Sequence, residues 1–500
     1  MLKYSVMKRV LLSLLLVMTS FTVSHAQAQD VVYGNEWINY DQTYYKIKVV
    51  NTGLHRLSYG YLDSLGLRGV NPRHLQLFRR GKEVSIYVAG EADNRLDPQD
   101  YVEFFGERND GALDQELYKD PSHQVHQLYS LYTDTAAYFL TVNPAGGKRM
   151  REVNPAIEGR TPEPYHLQKA LGLYNNAYKT GKKYGVNRMP WMDQGEGFTS
   201  SSSRFERLYY IDKIMNVETS GPKPVLEYSV FATNPILHEF AVKLIPPSGA
   251  SRVLDRFEIN GDGHDYRTTV IEFSDISLQG RLTLQTSPDP YPTTENQISF
   301  VYGLLTFPQK AVFVSNSMFV YTDSTRGSNP FFRFSNAPVT TVAYDVTDQN
   351  SITRSVGYFA DSKYGFVVDA KDGRSHKILL ADAAKAFKPA PANKIRFRRV
   401  DPDAHNYIIL TNKMMMKTSN EVAVPVPKAY AAYRASPVGG GYDTLLVYVD
   451  DLVEQFHYGE FSSNAIKRFV SYMAKSTKPK HMLILGKGAE YNSVNYRSAT

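Results

Sequence analysis

Cysteine is absent from all 500 residues. No disulfide can brace the fold, so stability must come from packing. No thiol nucleophile and no cysteine metal site exists in these residues. Tryptophan is scarce, with 2 residues, although Tyr (36) and Phe (25) are plentiful, a balance that favours half-buried β-strands. Beyond the N-terminal leader no apolar run approaches the ~20 residues that a membrane-crossing helix needs. Charge of one sign is nowhere concentrated. The 57 basic and 50 acidic side chains give +7 without a basic block, which lends no support to a nucleic-acid partner. Neither a Gly-x-Ser-x-Gly elbow nor a His-Glu-x-x-His helix occurs, and carboxylates are too numerous to nominate a catalytic pair.

What is present begins with a leader. Lys3, Lys8 and Arg9 precede the apolar run Val10–Met18, and Ser24-His25-Ala26 and Ala26-Gln27-Ala28 follow. That order is a secretory signal peptide over 1–26, with cleavage after Ala26 or Ala28. The mature chain, about +4 once these three charges are removed, is expected to be exported to the periplasm, outer membrane or cell surface.

The length predicts several domains. Residues 31–153 carry short alternating segments, Tyr44–Val50, Gly53–Ser58, Leu75–Phe78, Val84–Val88, Tyr101–Phe105 and Ala137–Val142, with one short helix at Tyr59–Leu65. They predict an N-terminal β-rich module. Residues 154–203, rich in Pro, Gly and Ser, read as a linker of turns. Eight candidate strands over 204–346, the last at Ala311–Phe319, with the turn Asn260-Gly261-Asp262-Gly263, suggest a β-sandwich. A bridging β segment, 347–402, follows.

From 403 the pattern changes. Tyr407–Leu410, Thr444–Val449 and Met482–Leu485 read as strands, and Lys428–Arg434 and Ser462–Ser476 as helices. The second helix should bury Ile466, Phe469, Val470 and Met473. Strand, helix, strand, helix, strand predicts a parallel sheet, with the third strand buried. Three strands make an incomplete doubly wound domain over 403–500, so the natural protein is expected to continue.

Local motifs point weakly. Gly486-Lys487-Gly488 follows a strand, where α/β ligand turns occur, but lacks the spacing of a dinucleotide or phosphate loop. His123 and His126 have no third metal ligand near them in sequence. Asp93, Asn94, Asp97 and Asp100, and separately Asn260, Asp262 and Asp265, depart from the calcium-loop spacing and read as polar turns, with calcium the alternative.

Several stretches in fixed order resemble the gingipain family of cysteine peptidases (peptidase family C25), which includes the sortase of the type IX secretion system. They are Tyr44–Leu67, Val70–Gly81, Asp97–Glu107, Tyr138–Met150 and Val342–Asp348 upstream. Asn406–Met415, Ala431–Arg434, Leu445–Met473 with its Tyr458-Gly459 pair, and His481–Asn492 follow. The resemblance implies an N-terminal part of such a peptidase, acting on the C-terminal signals of exported cargo and meeting outer-membrane secretion components. The family's Gly-acid-Gly turn has Lys487 in place of the acid, and its Tyr-Asp is Tyr491-Asn492. A pocket wall or calcium contact made by that acid would be lost. The family's catalytic His and Cys lie beyond the third strand and match no position here, so no catalytic, cofactor or metal residue is assigned. An inactive peptidase-like scaffold, or a cell-surface binding protein, is the alternative.

Overall fold

A computed structural model describes residues 32–181, 191–289, 296–418 and 423–488. The leader, with its expected cleavage site, and Tyr491-Asn492 lie outside the described residues. Residues Gly34–Thr500 form one unit.

The N-terminal part is two sheets face to face. One holds, in order, Asn393–Ile395, Tyr44–Val49, Ala136–Val142, Leu75–Arg79 and Lys82–Val84; the other holds Gly53–Ser58, Tyr101–Gly106 and Tyr87–Ala89. Alternate residues of each strand enter the shared core, among them Ile47, Leu57, Leu77, Val102 and Leu140. The helix Tyr59–Ser64 starts where the Ser58 hydroxyl accepts from the Tyr61 amide. The single strand expected at Val84–Val88 is two, Lys82–Val84 and Tyr87–Ala89, in different sheets.

The middle of the chain is organised by one nine-stranded sheet. Its order is Gly263–Val270, Val225–Thr233, Gln297–Gln309, His166–Leu173, Ser317–Tyr321, Lys377–Asp382, Thr341–Asp345, Thr353–Ser355 and Arg151–Glu152. A four-stranded sheet covers its first half around Tyr209, Tyr228, Phe240, Phe257 and Phe300. The rings of Tyr209 and Phe300 stack 4.6 Å apart, a geometry worth ~1 kcal/mol beyond burial. The three-stranded sheet Phe331–Ser335, Lys363–Val367, Tyr358–Ala360 covers the second half around Phe332, Phe334, Tyr364 and Phe366.

This sheet overrides three boundaries drawn from sequence. The 154–203 stretch is not a chain of turns, since it supplies the strands His166–Leu173, Ala177–Thr180 and Glu196–Thr199. The first of these lies mid-sheet and pairs with Gln297–Gln309 over its whole length. The division at 346/347 cuts adjacent, hydrogen-bonded strands, because Thr341–Asp345 pairs with Lys377–Asp382. The expected strand Ala311–Phe319 begins only at Ser317.

Near the C-terminus, Tyr407–Thr411 lies between Thr444–Tyr448 and His481–Leu485, all parallel. Val449, expected to end a strand, opens the helix Val449–Phe456. Leu452, Val453 and Phe456 recur at helical spacing on its buried side. The next helix, Asn464–Met473, buries Ala465, Arg468, Phe469 and Met473. Val470 is exposed instead, because the buried stripe is rotated toward the Phe456 helix. The third strand is a sheet edge rather than a buried element: Met482 and Ile484 are 36% and 62% exposed.

Candidate functional site

The strand order places the second strand on one side of the first and the third on the other, so the crossover direction reverses beside Tyr407–Thr411. Open α/β sheets bind ligands beyond the carboxyl ends of the strands at such a reversal. Here the crevice is bounded by Thr411-Asn412-Lys413 and Leu485-Gly486-Lys487. Thr411 Oγ1 donates to the Leu485 carbonyl at 2.8 Å and ties the two strand ends together. Asn412 accepts from the Met414 amide at 2.8 Å and turns the chain away. Lys413 reaches Asp451 at 2.6 Å, an exposed pair worth at most ~1 kcal/mol. Gly486, at φ +145°, makes the exit that a side chain would strain, and Lys487 stands exposed on the rim. The rim therefore presents two lysines where the gingipain pattern has an acid in the turn. With no cysteine in the chain, it offers binding surface and no thiolate.

A second constellation fastens this α/β segment to the N-terminal module. The Tyr458-Gly459 turn has φ of +54° and +74° and presents Glu460, 1% exposed, to the Arg80 guanidinium. Arg80 Nη2 donates to Glu460 Oε2 at 2.9 Å, to Asp110 Oδ1 at 2.9 Å and to Asn109 Oδ1 at 3.1 Å. Lys46 Nζ donates to Glu454 Oε1 at 2.6 Å and to the Gly459 carbonyl at 2.9 Å. Arg468 pairs with Glu116, its Nε donating at 3.0 Å, and reaches the Phe456 carbonyl at 3.2 Å. Three basic side chains thus meet carboxylates across one boundary. Burial raises the Glu454 carboxyl against the pull of Lys46. It pushes Asp114, beside Glu460, up to about 6, and pushes His457 down to about 4. His457 Nδ1 donates to the Glu460 carbonyl at 2.6 Å and holds the turn closed.

The other candidates do not converge. His126 is pushed down to about 4 by burial and packs edge-on to Tyr302, while His123 lies 3.5 Å from Asp193. Asp93 accepts from the Arg95 amide and Asp100 from the Asp97 amide at 2.8 Å, so both close turns. Asp262 accepts from the Asn234 amide, and Asp265 pairs with Arg267. Among the described residues no three His, Asp or Glu side chains are grouped to hold a metal ion. Sequence reasoning noted the Tyr458-Gly459 turn but missed Arg80, Lys46, Glu116 and their partners. Glu460 lies 380 residues from Arg80, and nothing local announces the pair.

A short parallel sheet with its ligand rim at the crossover reversal, keyed into a β module, is the layout of a gingipain-like α/β segment. Through this segment the chain belongs to peptidase family C25, whose model matches residues 401–497. In structure the chain is similar to dimeric latent PorU from Porphyromonas gingivalis, with a TM-score of 0.60 at 15% identity. That match covers 90% of this chain and 42% of PorU, so the chain spans less than half the length of that relative. The insecticidal delta-endotoxin Cry8Ea1 from Bacillus thuringiensis matches at 9% identity and a TM-score of 0.18, over 35% of this chain and 28% of its own. The CBM36-1 domain of a xylanase from the Trinervitermes trinervoides hindgut metagenome matches at 10% identity and a TM-score of 0.15, over 28% and 95%. Neither bears on fold or function. No curated protein matches the sequence.

Proposed function

We infer that this chain is the N-terminal part of a gingipain-like cysteine peptidase or sortase of the type IX secretion system, one that removes the C-terminal signals of exported proteins. The observation that carries the reading is the family C25 match at 401–497 within a chain that superposes on PorU over 90% of its length. In such an enzyme a thiolate activated by histidine attacks the peptide carbonyl, and backbone amides hold the oxyanion. This chain would supply the first strands of the peptidase sheet and the β modules that meet cargo and outer-membrane secretion components. The boundaries of the incomplete 403–500 domain, export through the 1–26 leader and a location in the cell envelope belong to the same reading. Among the described residues no helix is long and apolar enough to cross a membrane.

A catalytically silent scaffold is the second reading, favoured by Lys487 at the place of the family acid. The test is to incubate the purified chain with the C-terminal signal domain of an exported protein and follow binding by calorimetry and integrity by mass spectrometry. Binding without cleavage is expected from these residues. Failure to bind would refute cargo recognition. A cleavage product that survives removal of contaminating proteases would refute the thiol-dependent reading.

A further inference from the structure

Three of the stretches that resemble the gingipain family, Val70–Gly81, Asp97–Glu107 and Tyr138–Met150, take no part in the peptidase sheet. They meet at two clefts on the N-terminal module that share Asn94. The larger, about 790 Å³, is walled by Arg73, His74 and Lys148; the smaller, about 470 Å³, by Arg68, Arg95 and Asp97. Together they match the volumes of sites that enclose several groups of a ligand.

The charges in these clefts are unusual for this protein. Arg149, in the larger cleft, pairs with Glu91 at 2.8 Å. Arg73 donates only to the carbonyls of Glu91 and Ala92, at 3.2 and 3.3 Å. Among the described residues no carboxylate lies in ion-pair range of Arg68, Arg73, Arg95 or the Lys148 ammonium. Elsewhere arginines on this module, such as Arg56, Arg79 and Arg80, are paired with acids. Four cations without counterions around a continuous pair of clefts form an attractive field for oxyanions.

Two further features select the kind of anion. Glu83 and Asp97 also line the clefts, and they would repel a ligand of dense, unbroken negative charge. Asn71 and Asn94 sit between the cationic groups and offer both donors and acceptors, as an extended main chain requires. We propose that the paired clefts bind an acidic polypeptide segment of a partner, its carboxylates spaced to reach Arg68 and Arg95 at one end and Arg73 and Lys148 at the other. This docking does not depend on peptidase activity.

The test uses the full chain and three probes: a ten-residue peptide with glutamate at alternate positions, its glutamine counterpart, and tripolyphosphate. The glutamate peptide should bind at least tenfold more tightly than the glutamine peptide. R73Q with R95Q should weaken it at least tenfold. Arg73 also holds two loop carbonyls, so R68Q with R95Q is the second variant; these two side chains support no described contact, and the same loss is expected with unchanged circular dichroism. Equal binding of the two peptides, or unaltered affinity in the R68Q/R95Q variant, would overturn the proposal. Tighter binding of tripolyphosphate than of the glutamate peptide would overturn it in favour of a phosphate-bearing ligand.

Discussion

Removing the Arg80 guanidinium should be far more damaging than removing its whole ion pair. Glu460 is 1% exposed and takes three contacts from Arg80, at 2.9, 3.1 and 3.2 Å. Arg80→Met would leave Glu460 as a buried, uncompensated charge and strip Asp110 of its partner. Breaking one side of a buried pair costs ~3–5 kcal/mol, whereas replacing both sides with apolar groups of similar size is often close to neutral. The double variant Arg80→Met, Glu460→Leu should therefore recover most of the loss, with a coupling of at least ~2 kcal/mol. Arg80 lies at φ +46°, and methionine bears the same backbone strain, so the comparison isolates the charge. Hydrogen exchange over 449–473 under native conditions reads the local opening of this joint, and urea denaturation reads the global effect. A single-variant cost below ~1 kcal/mol, or a double variant no better than the single, would refute the view that the α/β segment is held by a water-excluded ion pair.

Acidification should weaken the fold. Burial pushes His55, His166 and His457 down to about 4 in the folded chain. The unfolded chain, with ordinary histidines near 6.5, therefore binds those protons first, and stability is lost as pH falls from 6.5 to 4. Each shift corresponds to roughly 3 kcal/mol at the acid end, while Asp114, at about 6, gives back part of it below pH 6. A urea midpoint that stays flat between pH 6.5 and 4 would contradict this, and His166→Gln should lessen the slope. Gly459→Ala should cost ~2 kcal/mol or more in urea denaturation: its φ is +74°, and a Cβ would stand 2.8 Å from the Phe139 ring and 2.9 Å from Ala137. Lys413→Ala, at an exposed pair, should change the same midpoint by less than ~1 kcal/mol, and a larger loss would mean that the rim is more tightly built than described.

Much of the local structure is legible because it rests on local chemistry. The strands Tyr44–Val49, Gly53–Ser58 and Tyr407–Thr411 are short apolar or alternating runs bounded by turn residues, and the Ser58 cap marks its helix. The helix Val449–Phe456 carries its own signal in Leu452, Val453 and Phe456. That signal was lost because the preceding strand, Thr444–Tyr448, runs into it without a break. His166–Leu173 is different. Gln168, Lys169 and Gly172 interrupt its alternation, and only pairing with Gln297–Gln309 makes it a strand.

The sequence by itself determined the absence of thiol chemistry, the β-rich character and the family of the last hundred residues, since these rest on residue types and their near neighbours. The tertiary structure alone decided that one sheet unites strands from 151 to 382, that Val470 faces solvent, and that Arg80 meets Glu460. The physical reason is range. A strand's partner, a helix's buried face and a buried charge's counterion are chosen by the free energy of the whole packed chain, across separations at which the sequence carries no periodicity to read.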